Sequence, residues 1–247
     1  MLLPRGWARF RLPVLLLAAC AGTGPELPPQ DNDLRLLFIG NSLTYTNDLP
    51  AMVRQLGLAV GGKPPVVESV AIPDFSLEDH WNRGDAQQAI RRDNWDFVVL
   101  QQGPSALPES RVLLVEYTRK FAEEIRTVGG RPALYMVWPP ASRAAEWDQV
   151  TGSYIAAARD VNGVVFPVGE AFRAARRHDP SLALLGGDGF HPSVSGTYLA
   201  ALVIYAQVSQ RSPIGMSSAV RIVNLSAGQI DALEQGAAEA IAQFSSP

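Results

Sequence analysis

Three residues have the types needed for acyl transfer. Ser42 stands in Gly40-Asn41-Ser42-Leu43-Thr44, directly after the apolar run from Leu34 to Ile39. A serine between a strand and a helix sits on a tight turn with its hydroxyl exposed. The unpaired N–H groups of such a first turn suit a developing oxyanion. The same placement also suits a plain helix N-cap. Far along the chain, Asp188-Gly189-Phe190-His191 precedes Pro192 and an apolar stretch. A serine hydroxyl is a weak nucleophile until a base takes its proton, and histidine is the usual base. The histidine needs an acceptor on its second ring nitrogen, which fixes its tautomer and stabilises the imidazolium. An aspartate three residues earlier in a tight loop can reach that nitrogen. Read alone, Asp188 caps a loop and His191 is a surface residue; read with Ser42, they form a nucleophile, a base and an orienting acid.

The elements that must position these residues alternate. Short apolar runs at 34–39, 65–72, 97–100, 133–138 and 163–167 read as strands. Helical patterns are read at 49–58, 77–92, 110–128, 148–160, 170–177, 194–208 and 226–244. Ser110 is the expected cap of the third of these, Gly129-Gly130 its stop, and Ser226 the cap of the last. Strands alternating with helices argue for a parallel sheet covered on both faces. Ligands then bind beyond the carboxyl ends of the strands. The loops after the first three strands and the loop before residue 194 are the ones expected to meet.

Taken together, GNSLT after the first strand, Gly103 closing the third strand block and DGFHPS before a late helix resemble the SGNH/GDSL hydrolase family over residues 34–210. The resemblance implies an α/β three-layer α/β/α sandwich with a parallel, flavodoxin-like central sheet. It also implies a serine esterase that works through an acyl-enzyme with no metal or other cofactor. On it, Ser42 is the nucleophile, His191 the general base and acid, and Asp188 its orienting partner. Asn41 stands where the family has Asp, and because Asn hydrogen-bonds similarly, little is expected to be lost.

The oxyanion hole departs further from the family pattern. The second block reads Pro73-Asp74-Phe75-Ser76, without the family's glycine. Asp tolerates positive φ better than most residues, so the Asp74 backbone is the expected donor beside that of Ser42. The third block reads Gly103-Pro104-Ser105-Ala106, with Ser105 at the position of the family's Asn. Gln101, Gln102 or Ser105 is expected to supply the missing side-chain donor, although the glutamines could equally close a strand end. His80 and Trp138 are candidate substrate-binding residues, with structural roles as the alternative: a half-buried pair with Trp81, and a core plug. His178, at a helix end, reads as structural.

Residues 1–19 read as a secretory signal. Arg5, Arg9 and Arg11 precede the short apolar stretch 12–19, which is too short to span a bilayer. Leu17-Ala18-Ala19-Cys20 resembles a bacterial lipobox, which implies lipidation of Cys20. Residues 20–33 then form the lipidated cysteine and tether, and 34–247 the hydrolase domain. The resemblance implies a lipid anchor in the cell envelope, on the periplasmic side of an outer membrane. Removing residues 1–19 takes away three arginines and no acid, moving the formal net charge from −3 to −6.

Composition limits the remaining possibilities. With 247 residues, 47% hydrophobic and 18% charged, the chain can bury a large core and is not disordered. No long basic run suggests nucleic acid. One cysteine excludes an internal disulfide, and three histidines argue against a multi-histidine metal site. The expected partner is a small-molecule or glycan ester, O-acetyl or short acyl, and the oligomeric state is left open. The altered second and third blocks motivate an alternative, a catalytically weak glycan-binding protein on the same fold. Acyl transfer by the same triad is another.

Overall fold

The computed structural model describes residues 33–61, 63–216 and 225–244. The signal segment, Cys20 and nearly all of the tether lie outside the described residues.

Five parallel strands form one sheet in the order β2-β1-β3-β4-β5. They are β1 (Arg35–Gly40), β2 (Val66–Ala71), β3 (Phe97–Leu100), β4 (Arg131–Tyr135) and β5 (Val164–Phe166). The interior strands are apolar on both sides: Leu36 to Ile39 and Val98 to Leu100 are fully buried or nearly so. Such continuous apolar strands are what a parallel sheet covered on both faces requires.

Two groups of helices cover it. One comprises α2 (Leu49–Ala59), α7 (Val168–His178), α8 (Val194–Ser209) and α9 (Ala227–Phe244). The other comprises α3 (Leu77–Arg83), α4 (Asp85–Arg92), α5 (Pro108–Thr127) and α6 (Trp147–Asp160). α8 is apolar around its circumference and buried over most of its length, so it serves as the core of its layer. The fold is a three-layer α/β/α sandwich.

Three boundaries differ from the sequence reading in ways that matter here. The helical pattern at 77–92 is two helices, because Gly84 takes φ +91 and ends α3 with a left-handed cap. β4 stops at Tyr135, before the expected Trp138. α5 begins at Pro108, a residue suited to a first turn because its missing N–H has no helical partner there. Ser110 therefore lies inside the helix and bonds back to the Leu107 carbonyl at 3.0 Å. Ser226 does cap α9, accepting from Gln229 N at 3.2 Å, while the Gln229 side chain accepts from Ser226 N at 3.0 Å.

Strand order reverses direction between β1 and β3, because β2 lies on one side of β1 and every later strand on the other. A crevice opens at such a switch point beyond the strand ends. Ser42 follows β1 and Gln101 follows β3, so both chain segments leave the sheet at that point.

Candidate active site

The turn that carries Ser42 is a single helical turn, α1 (Ser42–Tyr45), capped by Asn41. Asn41 Oδ1 accepts from Leu43 N at 3.1 Å. Beneath it lies Gln101, completely buried at the end of β3. Gln101 Oε1 accepts from Asn41 N at 2.9 Å and from Thr44 Oγ1 at 2.8 Å. Its Nε2 donates to Asn41 Oδ1 at 2.9 Å and to the Gln102 carbonyl at 2.7 Å. Three of these bonds tie the serine turn to the end of β3. Gly40 makes this possible: a Cβ there would lie 2.3 Å from Thr44 Oγ1 and 2.4 Å from Gln101 Oε1.

The histidine loop is closed on itself. Gly186 N donates to the His191 carbonyl at 2.8 Å and Ser193 N to the Leu184 carbonyl at 2.9 Å. Asp188 Oδ1 accepts from the backbone N–H groups of Phe190 (2.9 Å) and His191 (3.0 Å). Asp188 Oδ2 meets His191 Nδ1 at 2.5 Å. A carboxylate only accepts, so Nδ1 carries the proton and Nε2 presents its lone pair. The hydrogen bond from His191, joined by that from the Phe190 backbone, lowers the Asp188 pKa from 3.8 to about 2. The acid is thus ionised wherever the histidine works.

Three residues hold this region: Asn47 from the Ser42 side, and Trp138 and Ala141 from the segment after β4. Asn47, just past α1 with φ +55, donates from Nδ2 to the Pro192 carbonyl at 3.0 Å and to Thr197 Oγ1 at 2.9 Å. Trp138 Nε1 donates to the Phe190 carbonyl at 2.9 Å, and Ala141 N to the Gly189 carbonyl at 2.8 Å. Ser42 and Phe190 line one groove of about 450 Å³. Ser42 Oγ forms no hydrogen bond to His191 among the described residues, and catalytic bonds of this kind commonly tighten only when substrate is bound.

The remaining groove wall comes from the loops after β2, β3 and β4. Asp74, Phe75, Leu107, Leu113 and Arg143 are among its lining residues. Arg143 is held at the rim by Glu146, with its Nε 2.8 Å from Oε1. Sequence reasoning missed Leu107, Leu113 and Arg143; their only signal is position, in the segments that follow β3 and β4.

Asp74 adopts φ +61, the left-handed conformation anticipated for the missing glycine. It follows Pro73 in a turn closed by Phe75 N to the Ile72 carbonyl at 3.3 Å, the pattern of Pro then left-handed residue seen in type II turns. The N–H groups of Ser42 and Asp74 donate to nothing among the described residues.

The side-chain donors expected from Gln101, Gln102 and Ser105 require correction. Both Nε2 hydrogens of Gln101 are committed, as described above. Gln102, nearly as buried, donates to Ser105 Oγ (2.8 Å) and the Ser110 carbonyl (3.2 Å), and accepts from Leu77 N (3.2 Å). Ser105 Oγ donates to the Gly103 carbonyl at 3.0 Å. Tyr154, fully buried and with its pKa raised by that burial, donates to the Gln102 carbonyl at 2.6 Å and locks this loop from below. Gln102 and Ser105 line the groove with their hydrogen bonds already committed, Gln101 lies beneath it, and the free donors are backbone groups.

His80 and Trp138 do not line the groove either. His80 is 1% exposed, and its Nε2 donates to the Gly40 carbonyl at 2.7 Å, because a carbonyl can only accept. Burial lowers its pKa from the ordinary 6.5, which favours the neutral ring. Trp138 is fully buried, stacked on Phe172 with ring centroids 4.0 Å apart. Each supports a catalytic loop from beneath.

Comparison with known proteins agrees with this fold. Over 70% of this chain and 98% of its own, a Slackia heliotrinireducens protein assigned to the SGNH hydrolases matches at 28% identity with a TM-score of 0.59. By fold, this chain is similar to the SGNH/GDSL hydrolases. Two more distant structures share the fold. One is a DUF4886 family protein from Bacteroides uniformis, at 19% identity and TM-score 0.67, over 85% of this chain and 95% of that one. The other is an acetylxylan esterase from Geobacillus stearothermophilus, at 19% identity and TM-score 0.53, over 71% and 94%. No family model and no curated protein matches the chain. Among the described residues, no group of three or more His, Cys, Asp or Glu is placed to hold a metal ion. No helix among them is long and apolar enough to cross a membrane.

Proposed function

We propose that this protein is a serine esterase acting through an acyl-enzyme on Ser42. The observation that carries the reading is the Asp188–His191 pair, held on the loop whose Phe190 shares a groove with Ser42. His191 Nε2 takes the Ser42 proton as Oγ bonds to the ester carbonyl carbon. The resulting oxyanion lies against the N–H groups of Ser42 and Asp74. The bond to the leaving alcohol then breaks, and Nε2 returns its proton to that oxygen. Water, deprotonated by the same nitrogen, attacks the acyl carbon; the carboxylic acid leaves and Ser42 regains its hydrogen.

The substrate we propose is a short-acyl ester, with an acylated carbohydrate as alcohol partner. The groove reaches from Ser42 towards Leu107 and Leu113 without taking in His191. Because the leaving oxygen must lie at His191, this groove is the place of the acyl group. We also place the protein at a bacterial cell envelope, tethered by lipid on Cys20, on the strength of the arginine-rich apolar leader and its Leu-Ala-Ala-Cys end.

Hydrolysis of p-nitrophenyl acetate and butyrate tests the enzymatic reading: turnover should disappear in Ser42→Ala. One observation favours the alternative, a weakly catalytic glycan binder, namely the commitment of all three expected side-chain donors. Losing one oxyanion donor costs ~10²–10³ in rate. Folded protein that binds acylated oligosaccharides with no turnover would favour that alternative.

A further inference from the structure

We propose that Asn41 is a positioning residue whose side-chain amide clamps the Asp74 turn to the nucleophile turn, and that a carboxylate at this position would open the oxyanion site. The inference rests on the serine-esterase reading and deepens it. It also reverses the sequence expectation that Asn and Asp are nearly interchangeable here.

The orientation of the Asn41 amide is fixed by backbone groups of opposite kinds. Its oxygen faces Leu43 N at 3.1 Å, which can only donate. Its nitrogen faces the Phe75 carbonyl at 2.9 Å, which can only accept. Gln101 Nε2 confirms the oxygen side at 2.9 Å. A flipped amide would lose all three bonds at once.

The bond to Phe75 joins the two halves of the hole. Ser42 N lies one residue after Asn41, and Asp74 N one residue before Phe75. The turn that carries Asp74 holds a non-glycine residue at φ +61, a conformation that persists only where surroundings enforce it. Those surroundings include the Phe75 ring against His80 and the Ser76–Asp79 capping box. Ile72 N donates to the Gly40 carbonyl at 3.0 Å before the turn, and Leu77 N to Gln102 Oε1 at 3.2 Å after it. Between these points, the Asn41 amide is the one side chain of the nucleophile turn that bonds to the loop among the described residues. Asp at 41 would keep the bonds from Leu43 and Gln101 on one oxygen. It would also set a negative oxygen against the Phe75 carbonyl oxygen. The loop would move away, and Asp74 N–H with it.

The test compares wild type with Asn41→Asp. We expect kcat for p-nitrophenyl butyrate to fall ~10²–10³-fold, the cost of one oxyanion donor, with KM within threefold. The ratio of variant to wild-type kcat should rise as pH falls towards 5, because a protonated carboxyl can donate to the Phe75 carbonyl again. A merely structural role would give a pH-independent ratio. Amide hydrogen exchange at Phe75 should also quicken at least tenfold in the variant, while Leu100 in β3 is unchanged. Should Asn41→Asp fail to fold, Asn41→Ser keeps a helix cap and loses the bond to Phe75; its kcat should fall with KM retained. Wild-type kcat in the variant that folds, or unchanged exchange at Phe75, overturns the proposal. If faster exchange at Phe75 accompanies a wild type that neither turns over esters nor reacts at Ser42, the esterase reading fails and the clamp stands.

Discussion

Gly40→Ala is the substitution that probes the architecture beneath Ser42 most sharply. The added methyl would lie 2.3 Å from Thr44 Oγ1 and 2.4 Å from Gln101 Oε1, against ordinary contact beginning at 3.4 Å. Both atoms must retreat, and they are bonded to each other at 2.8 Å. Gln101 Oε1 would also leave Asn41 N, stranding a buried N–H. An unsatisfied buried donor costs ~1–3 kcal/mol, and forcing a methyl into a packed site adds ~1–3 kcal/mol. The total is ~2–6 kcal/mol. At roughly 2–4 °C per kcal/mol for a domain of this size, a central value of ~4 kcal/mol lowers the melting temperature by ~8–16 °C. Gly103→Ala is the internal control. It sits at the mouth of the same groove, but a Cβ there meets nothing within 4 Å; its effect should stay within ~0.5 kcal/mol. Thermal unfolding followed by circular dichroism measures both. A Gly40→Ala melt within 2 °C of wild type, or an equal loss in Gly103→Ala, would refute the claim that Gln101 and Thr44 are closed tightly over Gly40.

Other consequences follow from the same geometry. Asp188→Asn should lower kcat by ~10⁴, because an amide nitrogen can turn towards Nδ1 and select the wrong tautomer; steady-state kinetics on a protein with unchanged circular dichroism checks this. The folded-state pKa of Asp188 is depressed, so its stabilising contribution is present above pH 3.8 and lost as pH falls towards about 2. The wild-type minus Asp188→Asn difference in unfolding free energy should shrink across that window, as acid unfolding of the two proteins measures. His80 works in the opposite part of the scale. Burial lowers its pKa from 6.5, so the folded state resists protonation and stability should decline as pH drops below 6.5. Urea unfolding of His80→Asn between pH 5 and 7 should show a flatter pH dependence than wild type. In the groove, Leu113→Trp should reduce kcat/KM for p-nitrophenyl butyrate more than for the acetate, because it narrows the proposed acyl channel; equal losses would move the acyl group elsewhere.

The layers and their order were legible because parallel strands must be apolar on both faces, and Leu36–Ile39 and Phe97–Leu100 are. The Asp74 backbone was legible too, since Pro followed by Asp at a missing glycine already asks for positive φ. The amide network was not. Gln101 and Gln102 both look like free donors in a linear reading. Their partners, Asn41 and Thr44 for one and Leu77 and Ser110 for the other, become neighbours only through the β1–β3 pairing and the packing of α3 and α5. His80 and Trp138 misled for a related reason. Polar-tipped rings beside catalytic loops look like pocket walls, yet each spends its one N–H on a loop carbonyl from below. The split at Gly84 escaped because Leu77–Arg92 keeps a helical polar pattern across it, and a left-handed glycine leaves no periodic trace.

Reaction with a fluorophosphonate, followed by peptide mapping, tests the central claim most directly. The account predicts one adduct per chain, on Ser42, slowed at least a hundredfold in His191→Ala and absent in Ser42→Ala. Folded wild-type protein that takes up no label, or takes it up at another residue with Ser42 unmodified, would contradict it.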